Sequence, residues 1–208
     1  MRTDPNLTLE RALWKSGLTY VAGLDEAGRG ALAGPVACAA VILLPDPNLA
    51  QRLEGVRDSK QMTPAQRECW SGHIREAALT WAVAYASNDE IDQLGILPAT
   101  HLAAYRALQA LAVPPEHLIL DYLFLAECEL PQTSLIKGDQ RSLSIAAASV
   151  LAKTSRDALL CELDHVYPGY GFAVHKGYGT ASHLAALRRL GPTPTHRRTF
   201  RPVSEMNY

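Results

Sequence analysis

A dominant charge is the first thing this 208-residue chain lacks: 20 Lys+Arg stand against 21 Asp+Glu, a formal net charge of −1. With 48% hydrophobic and 20% charged residues, the balance excludes a disordered, coiled-coil or collagen-like chain and points to a soluble globular protein with a sizeable core. Its length suits one ordinary domain and leaves no room for a second of normal size. Cysteine is scarce. Cys38, Cys69, Cys128 and Cys161 form no Cys-x-x-Cys pair, which argues against a disulfide framework or structural zinc and leaves four small hydrophobes. Long apolar runs are missing too. The longest, residues 35–44, is the size of a strand, well short of the roughly eighteen residues of a membrane span. Residues 1–5 do not resemble a signal peptide, so a cytoplasmic protein without membrane association is expected. There is no internal repeat and no low-complexity tract.

The near-neutral total hides an asymmetry. Residues 1–130 hold 10 Lys+Arg and 16 Asp+Glu, a net −6, whereas residues 131–208 hold 10 and 5, a net +5, with four of the seven histidines. A basic end of this kind is either the solvated face of helices or a surface for polyanions.

Residues 20–25 read as a strand ending at the turn Gly28-Arg29-Gly30, and residues 35–44 read as its hairpin partner. Thr63-Pro64-Ala65-Gln66 supplies an N-cap, a proline at the first helical position and a capping-box glutamine, predicting a helix to about residue 79. Further strands are expected at 80–86, 117–121 and 133–136, with helices at 99–111, 144–163 and 180–190. The helix at 144–163 opens on Ala146-Ala147-Ala148-Ser149, small enough to lie close against a sheet. Residues 45–58, 167–179 and the irregular segment 191–208 read as loops. A meander followed by alternating helix and strand argues for an α/β fold, a mixed five-stranded sheet with helices on both faces.

Three of these strands run into acids: Asp25 with Glu26, Asp121, and Asp139 shortly after Ile136. Carboxylates gathered where parallel strands end repel one another and raise each other's pKa unless a cation neutralises them. Oxygen-only ligands favour Mg²⁺ or Mn²⁺. Because successive strand residues face opposite sides, Asp25 and Glu26 share one site only if the strand ends or bulges there. Two divalent ions roughly 4 Å apart activate a water and stabilise the leaving oxygen of a phosphodiester. Hydrolysis of a nucleic-acid backbone is the chemistry this pattern favours.

The segment Gly23-Leu24-Asp25-Glu26-Ala27-Gly28-Arg29-Gly30, followed by Leu32-Ala33-Gly34-Pro35-Val36, resembles the opening motif of the ribonuclease HII family. The likeness continues through Asp58-Ser59-Lys60, Lys137-Gly138-Asp139, the run from Ser144 to Lys153, Arg156-Asp157, and His175-Lys176-Gly177-Tyr178-Gly179-Thr180. It closes on Gly191-Pro192-Thr193-Pro194-Thr195-His196-Arg197-Arg198 and so spans nearly the whole chain. The resemblance implies an RNase H-like fold and an endonuclease that cuts the RNA strand of RNA/DNA hybrids and nicks 5′ to single ribonucleotides in duplex DNA. It implies metal-binding catalytic acids at Asp25, Glu26, Asp121 and Asp139, backbone contact to the ribose 2′-hydroxyl from Gly28, Arg29 and Gly30, a sugar-packing Tyr178 and a phosphate-binding Lys60. Lys153, Arg156, Lys176, Arg197 and Arg198 are further candidates for backbone contacts. A monomer is the default.

The chain departs from the family pattern at Tyr122, where glycine is usual, at Gly95 and Tyr105, where asparagine and methionine are expected, and at Ser155, where threonine is usual. A bulky Tyr122 beside a metal ligand is expected to narrow the groove or shift Asp121. The main rival reading is a weakly active or inactive nucleic-acid-binding protein of the same fold, but none of the acids is missing. A dinucleotide-binding loop fails because residues 28–33 lack the third glycine and an acid precedes them. Hydrolysis of a small phosphoester would leave the basic segment without a role.

Overall fold

The structure, a computed structural model, describes residues 4–206. In chain order the elements are α1 Thr8–Lys15, β1 Val21–Ala27, β2 Val36–Ile42, α2 Leu49–Arg52, α3 Pro64–Ala77, β3 Thr80–Ala86, α4 Asn88–Leu94 and α5 Ile96–Gln109. They continue with β4 His117–Asp121, β5 Gln132–Leu135, α6 Leu143–Val166, α7 Phe172–His175 and α8 Ala181–Leu190. The five strands form one sheet in the order β3-β2-β1-β4-β5, with β3, β2 and β1 antiparallel and β1, β4 and β5 parallel. No helix among the described residues is long and apolar enough to cross a membrane.

Every predicted strand is present, within two residues at each end, the first running on to Ala27. The Thr63 hydroxyl accepts from the Gln66 amide while Gln66 reaches back to Thr63 N–H, the expected capping box at the start of α3. Two helices go beyond the sequence reading. α4 starts from a second capping box, Ser87 with Glu90, and α1 lies in what reads as a polar start. The presumed loops 45–58 and 167–179 carry the one-turn helices α2 and α7.

Alternation along β1 divides the core. Leu24 faces α5, whose Ala99, Ala103, Ala104 and Ala107 pack with Cys38, Ala40, Leu118 and Leu120. On the opposite face, Ala146, Ala147, Val150 and Leu151 of α6 pack with Ala39, Val41 and the Ile74 of α3. The small residues let α6 lie against the sheet, and the contact is tight enough that a Cβ on Gly23 would overlap Ser144. Glu10, fully buried on α1, accepts from Ser142 Oγ at 2.6 Å and from the Ser144 amide at 2.9 Å, fastening α1 to the N-terminus of α6. A carboxylate there also meets the positive end of the helix dipole.

Candidate active site

The parallel pairing of β1 with β4 ends at Leu24↔Leu120, so Asp25 and Asp121 each occupy the next position as the ladder stops. The pairing of β4 with β5 reaches Asp121↔Leu135, and the chain then turns through a 3₁₀ segment, Gly138–Gln140, that carries Asp139. The Gly138 amide donates to Asp121 Oδ1 at 2.7 Å, locking that turn to the end of β4. One carboxylate oxygen each from Asp25, Asp121 and Asp139 lies within 4.8 Å of the others.

Three acids this close cannot all remain charged without a counter-ion. Burial first, then the charges of Glu26 and Asp121, push Asp25 well above the usual carboxylate range, although the Ser149 hydroxyl and the Glu26 amide hydrogen-bond to it. Burial, followed by Asp58 and Asp121, raises Asp139 to about 6, with Lys60 opposing. Lys60 stands in the 3₁₀ turn Ser59–Gln61, whose N-cap, Asp58, accepts from the Lys60 amide at 2.9 Å. Burial works against the Lys60 charge, but the fields of Asp25, Asp139, Asp58 and Glu26 outweigh it and hold the ammonium above its ordinary range.

Glu26 stands apart from this trio. β1 pairs with β2 without a bulge through Ala27↔Ala37, so consecutive side chains at 25 and 26 face opposite sides, and Glu26 Oε1 lies 3.3 Å from Arg29 Nη1. Its Oε2 is buried without a hydrogen-bond partner, and burial raises its pKa despite the nearby Arg29, with Asp121 repelling it as well. The donor set is therefore three converging carboxylates plus one adjacent carboxylate with an unused buried oxygen. All the donors are hard oxygens with surplus negative charge, which suits a divalent cation such as Mg²⁺ or Mn²⁺ and disfavours zinc.

The turn after β1 is held from inside. Arg197, fully buried, donates to the carbonyls of Gly28 at 2.7 Å, Arg29 at 2.8 Å and Gly34 at 3.0 Å. Arg156, equally buried, donates to Pro35 at 2.8 Å, Lys176 at 2.9 Å and Ala33 at 3.0 Å. Gly28 has φ +94° and no space for a Cβ because Arg156 lies against it, whereas a Cβ on Gly30 would meet nothing within 4 Å. The glycine at 28 thus serves internal packing, and Gly30 is the one that leaves main chain open to an approaching ligand.

Tyr178 lies in the loop between α7 and α8. The Gly177 carbonyl accepts from the Leu32 amide at 2.8 Å, which ties this loop to the turn after β1. The cations of Arg156 and Lys153 lie 5.5 and 5.6 Å from the Tyr178 ring centroid, and a cleft of about 570 Å³ beside it is lined by Arg67, Lys153, Asp157 and Lys176 among others. Below it, the Tyr178 carbonyl is 2.9 Å from His183 Nδ1, His183 Nε2 is 3.0 Å from His196 Nε2, and the Thr193 amide donates to His196 Nδ1 at 2.9 Å. That chain of contacts permits one neutral tautomer at each ring. Burial lowers both histidines to about 4.

The expectation that the basic C-terminal segment is a polyanion surface therefore needs correction at named residues. Arg156 and Arg197 are consumed by backbone carbonyls. Lys153 is paired with Asp157 at 2.6 Å, and Lys176 Nζ is occupied by the Ala173 carbonyl at 2.7 Å and Cys161 Sγ at 2.9 Å. His175, His183 and His196 are buried. Of the five candidates, Arg198 keeps an exposed side chain. Tyr122 has φ +53°, which explains why glycine is favoured there, yet Asp121 keeps its place in the acid group and Tyr122 itself is 71% exposed. Ser149, hydrogen-bonded to Asp25 and to Ser59 Oγ at 2.9 Å, was not anticipated as part of the site. A small residue in an alanine-rich helix gives no local signal for such a role.

Among solved structures, ribonuclease H2 from Pyrococcus horikoshii OT3 matches with a TM-score of 0.74 and 26% identity, covering 89% of this chain and 95% of that one. Bst-RNase HIII, solved in complex with Mn²⁺, shares the fold at a TM-score of 0.65 and 22% identity, over 90% of this chain and 68% of its own. The architecture is that of the RNase H-like nucleases. In sequence, the ribonuclease HII family model matches residues 22–203. The ribonuclease HII of Synechococcus sp. (strain JA-3-3Ab) is 53% identical over 203 residues, 98% of this chain and 91% of that one. That of Dehalococcoides mccartyi is 48% identical over 207 residues, 97% and 95% of the two chains. The chain belongs to the ribonuclease HII family, and is a divalent-metal-dependent endonuclease of the ribonuclease H type acting on RNA/DNA substrates. Nothing supports the inactive alternative.

Proposed function

We propose that this ribonuclease H cuts the RNA strand of RNA/DNA hybrids and also nicks duplex DNA on the 5′ side of a single embedded ribonucleotide, working as a cytoplasmic monomer. The observation that carries the reading is the convergence of Asp25, Asp121 and Asp139 within 4.8 Å beside a turn whose open glycine, Gly30, admits close approach. Asp25, Asp121 and Asp139 would hold the metal, and Glu26, although it leaves β1 on the other face, would reach round the open end of the sheet, where the β1–β4 ladder has stopped at Leu24↔Leu120, to act as a fourth ligand through its unpartnered Oε2. Mg²⁺ and Mn²⁺ both suit this donor set, and Mn²⁺ is the ion in the Bst-RNase HIII complex. When bound, the ions supply an activated water and a stabilised leaving oxygen.

The chain's own residues then provide placement. Gly138 N–H and the Ser149 hydroxyl orient the Asp121 and Asp25 carboxylates. Lys60, held at the acid cluster by its Asp58-capped turn, contributes a positive charge to the scissile phosphate. Arg197 and Arg156 draw the carbonyls of the 28–35 segment inward, which leaves the backbone of Gly28, Arg29 and Gly30 rigid for contact with the 2′-hydroxyl, the group that distinguishes RNA from DNA. Tyr178 packs on the sugar that follows the ribonucleotide, where a deoxyribose fits.

The test is incubation with a DNA duplex carrying one ribonucleotide, with and without Mg²⁺ or Mn²⁺, and mapping of the products. A metal-dependent nick 5′ to the ribonucleotide with 3′-hydroxyl and 5′-phosphate ends is expected, while an all-DNA duplex stays whole. Asp121→Asn should abolish the cut in a protein of unchanged circular dichroism. Cutting without metal, or full turnover by Asp121→Asn, would contradict the assignment.

A further inference from the structure

We infer that Tyr122 is a substrate-binding residue, an aromatic platform at the lip of the acid site against which the sugars of the nucleic-acid strand pack; the inference rests on the function proposed above. Its position is fixed by the ladder. The Tyr122 amide donates to the Leu135 carbonyl at 2.8 Å, so the residue sits one step beyond the Asp121↔Leu135 pair, immediately after one metal-binding candidate and level with the segment that leads to another, Asp139.

Folding does not account for the side chain. At φ +53° the backbone lies in the left-handed region, uncommon for a bulky residue and characteristic of functional sites where it occurs. The hydrogen bond that holds this conformation is made by the main chain, and glycine would make it with less strain. The ring receives little burial in return, being 71% exposed. Nor does it stand alone. Phe124 is 60% exposed and Ile136 70%, so the segments leaving β4 and β5, which carry Asp121 and lead to Asp139, both expose large apolar groups. Single exposed apolar residues are ordinary, but three on the two paired segments that run on from a candidate metal site are a reason to look for a ligand.

The chemistry of the site selects the occupant. A surface beside converging carboxylates that act on a phosphodiester is reached by the substrate backbone, whose sugars offer C–H faces and whose phosphates accept from a phenol. RNA-containing duplexes present those sugars across a wide, shallow minor groove. A tyrosine supplies both an apolar face and a hydroxyl at low conformational cost.

The experiment compares the parent with Tyr122→Gly and Tyr122→Phe. It measures KM and kcat on a long hybrid and on a duplex with one ribonucleotide, and measures binding of each by fluorescence anisotropy in EDTA. Tyr122→Gly should raise KM and Kd about five- to tenfold, the lower end of an aromatic contact with nucleic acid, with kcat changing less than twofold and a melting temperature no lower than the parent's. Tyr122→Phe should recover most of the affinity. Parental KM and Kd in Tyr122→Gly would overturn the inference, as would a large fall in kcat at constant Kd, which would assign Tyr122 to placing Asp121. Failure of the parent itself to cut the ribonucleotide-containing duplex would sink the function reading instead.

Discussion

Asp139→Asn should make the metal-free protein more stable while abolishing its activity. In the folded chain this carboxyl titrates near 6 rather than at 3.8, chiefly because it is buried and secondly because Asp58 and Asp121 repel its charge. A raised carboxyl pKa favours the protonated fold, so stability is lost as pH climbs from 3.8 through 6 and stays lost above it. At about 1.36 kcal/mol per pH unit, the full interval sets a ceiling of roughly 3 kcal/mol. Relaxation of the surroundings and entry of water around the ionised acid reduce this to about 1–2 kcal/mol, or roughly 3–6 °C in Tm for a domain of this size. Asparagine mimics the neutral acid and keeps a donor for Asp58. Thermal melts in EDTA should therefore show a gain at pH 7–8 about twice that at pH 5. Saturating Mg²⁺ should shrink or reverse it, because binding stabilises the parent. A gain independent of pH, or a loss of stability at pH 8, would refute the view that carboxylate repulsion is stored in this site.

Three further outcomes follow from the geometry. Tyr178→Ala should reduce cutting at an isolated ribonucleotide about tenfold more than cutting of a long hybrid, measured as the ratio of kcat/KM; equal losses would remove its junction role. Gly28→Ala, with its Cβ forced onto Arg156 at φ +94°, should lower stability by about 2–4 kcal/mol in denaturant melts, whereas Gly30→Ala should melt like the parent and lose substrate affinity. Arg197→Lys should cost about 2–4 kcal/mol, since an ammonium carries its three donors on a single nitrogen and cannot span three carbonyls that the separate Nε, Nη1 and Nη2 of a guanidinium now bond; a neutral effect would mean water replaces it without loss.

The parts of the fold that could be read from the chain are those written in local code. Thr63 to Gln66 spells a capping box, and β3 and β4 are bounded by the residues their patterns predict. Ser87-Asn88-Asp89-Glu90 spells a second capping box just as clearly, yet α4 is only seven residues long and too short for periodicity to announce. α1 was hidden because its buried face includes a carboxylate, Glu10, whose partners lie on α6. At the site, strand ends brought Asp25, Asp121 and Asp139 into view, but which side Glu26 takes depended on whether β1 bulges, and it does not. Arg156, Arg197 and the histidines were the opposite case. Composition counted them as positive surface, and only the tertiary path, which curls carbonyls around them, makes an interior position tolerable.

Those two inward-facing guanidiniums carry a consequence for recognition. Burial lowers Arg197 to about 9, still far enough above neutrality that both guanidiniums keep their protons through the neutral and acidic range, so the clamp on the 28–35 segment does not loosen as the medium acidifies or its salt changes. The loop meets its ligand already shaped, and little conformational freedom is surrendered on contact. Discrimination between a ribose and a deoxyribose should accordingly persist across ionic strengths that weaken overall affinity by orders of magnitude.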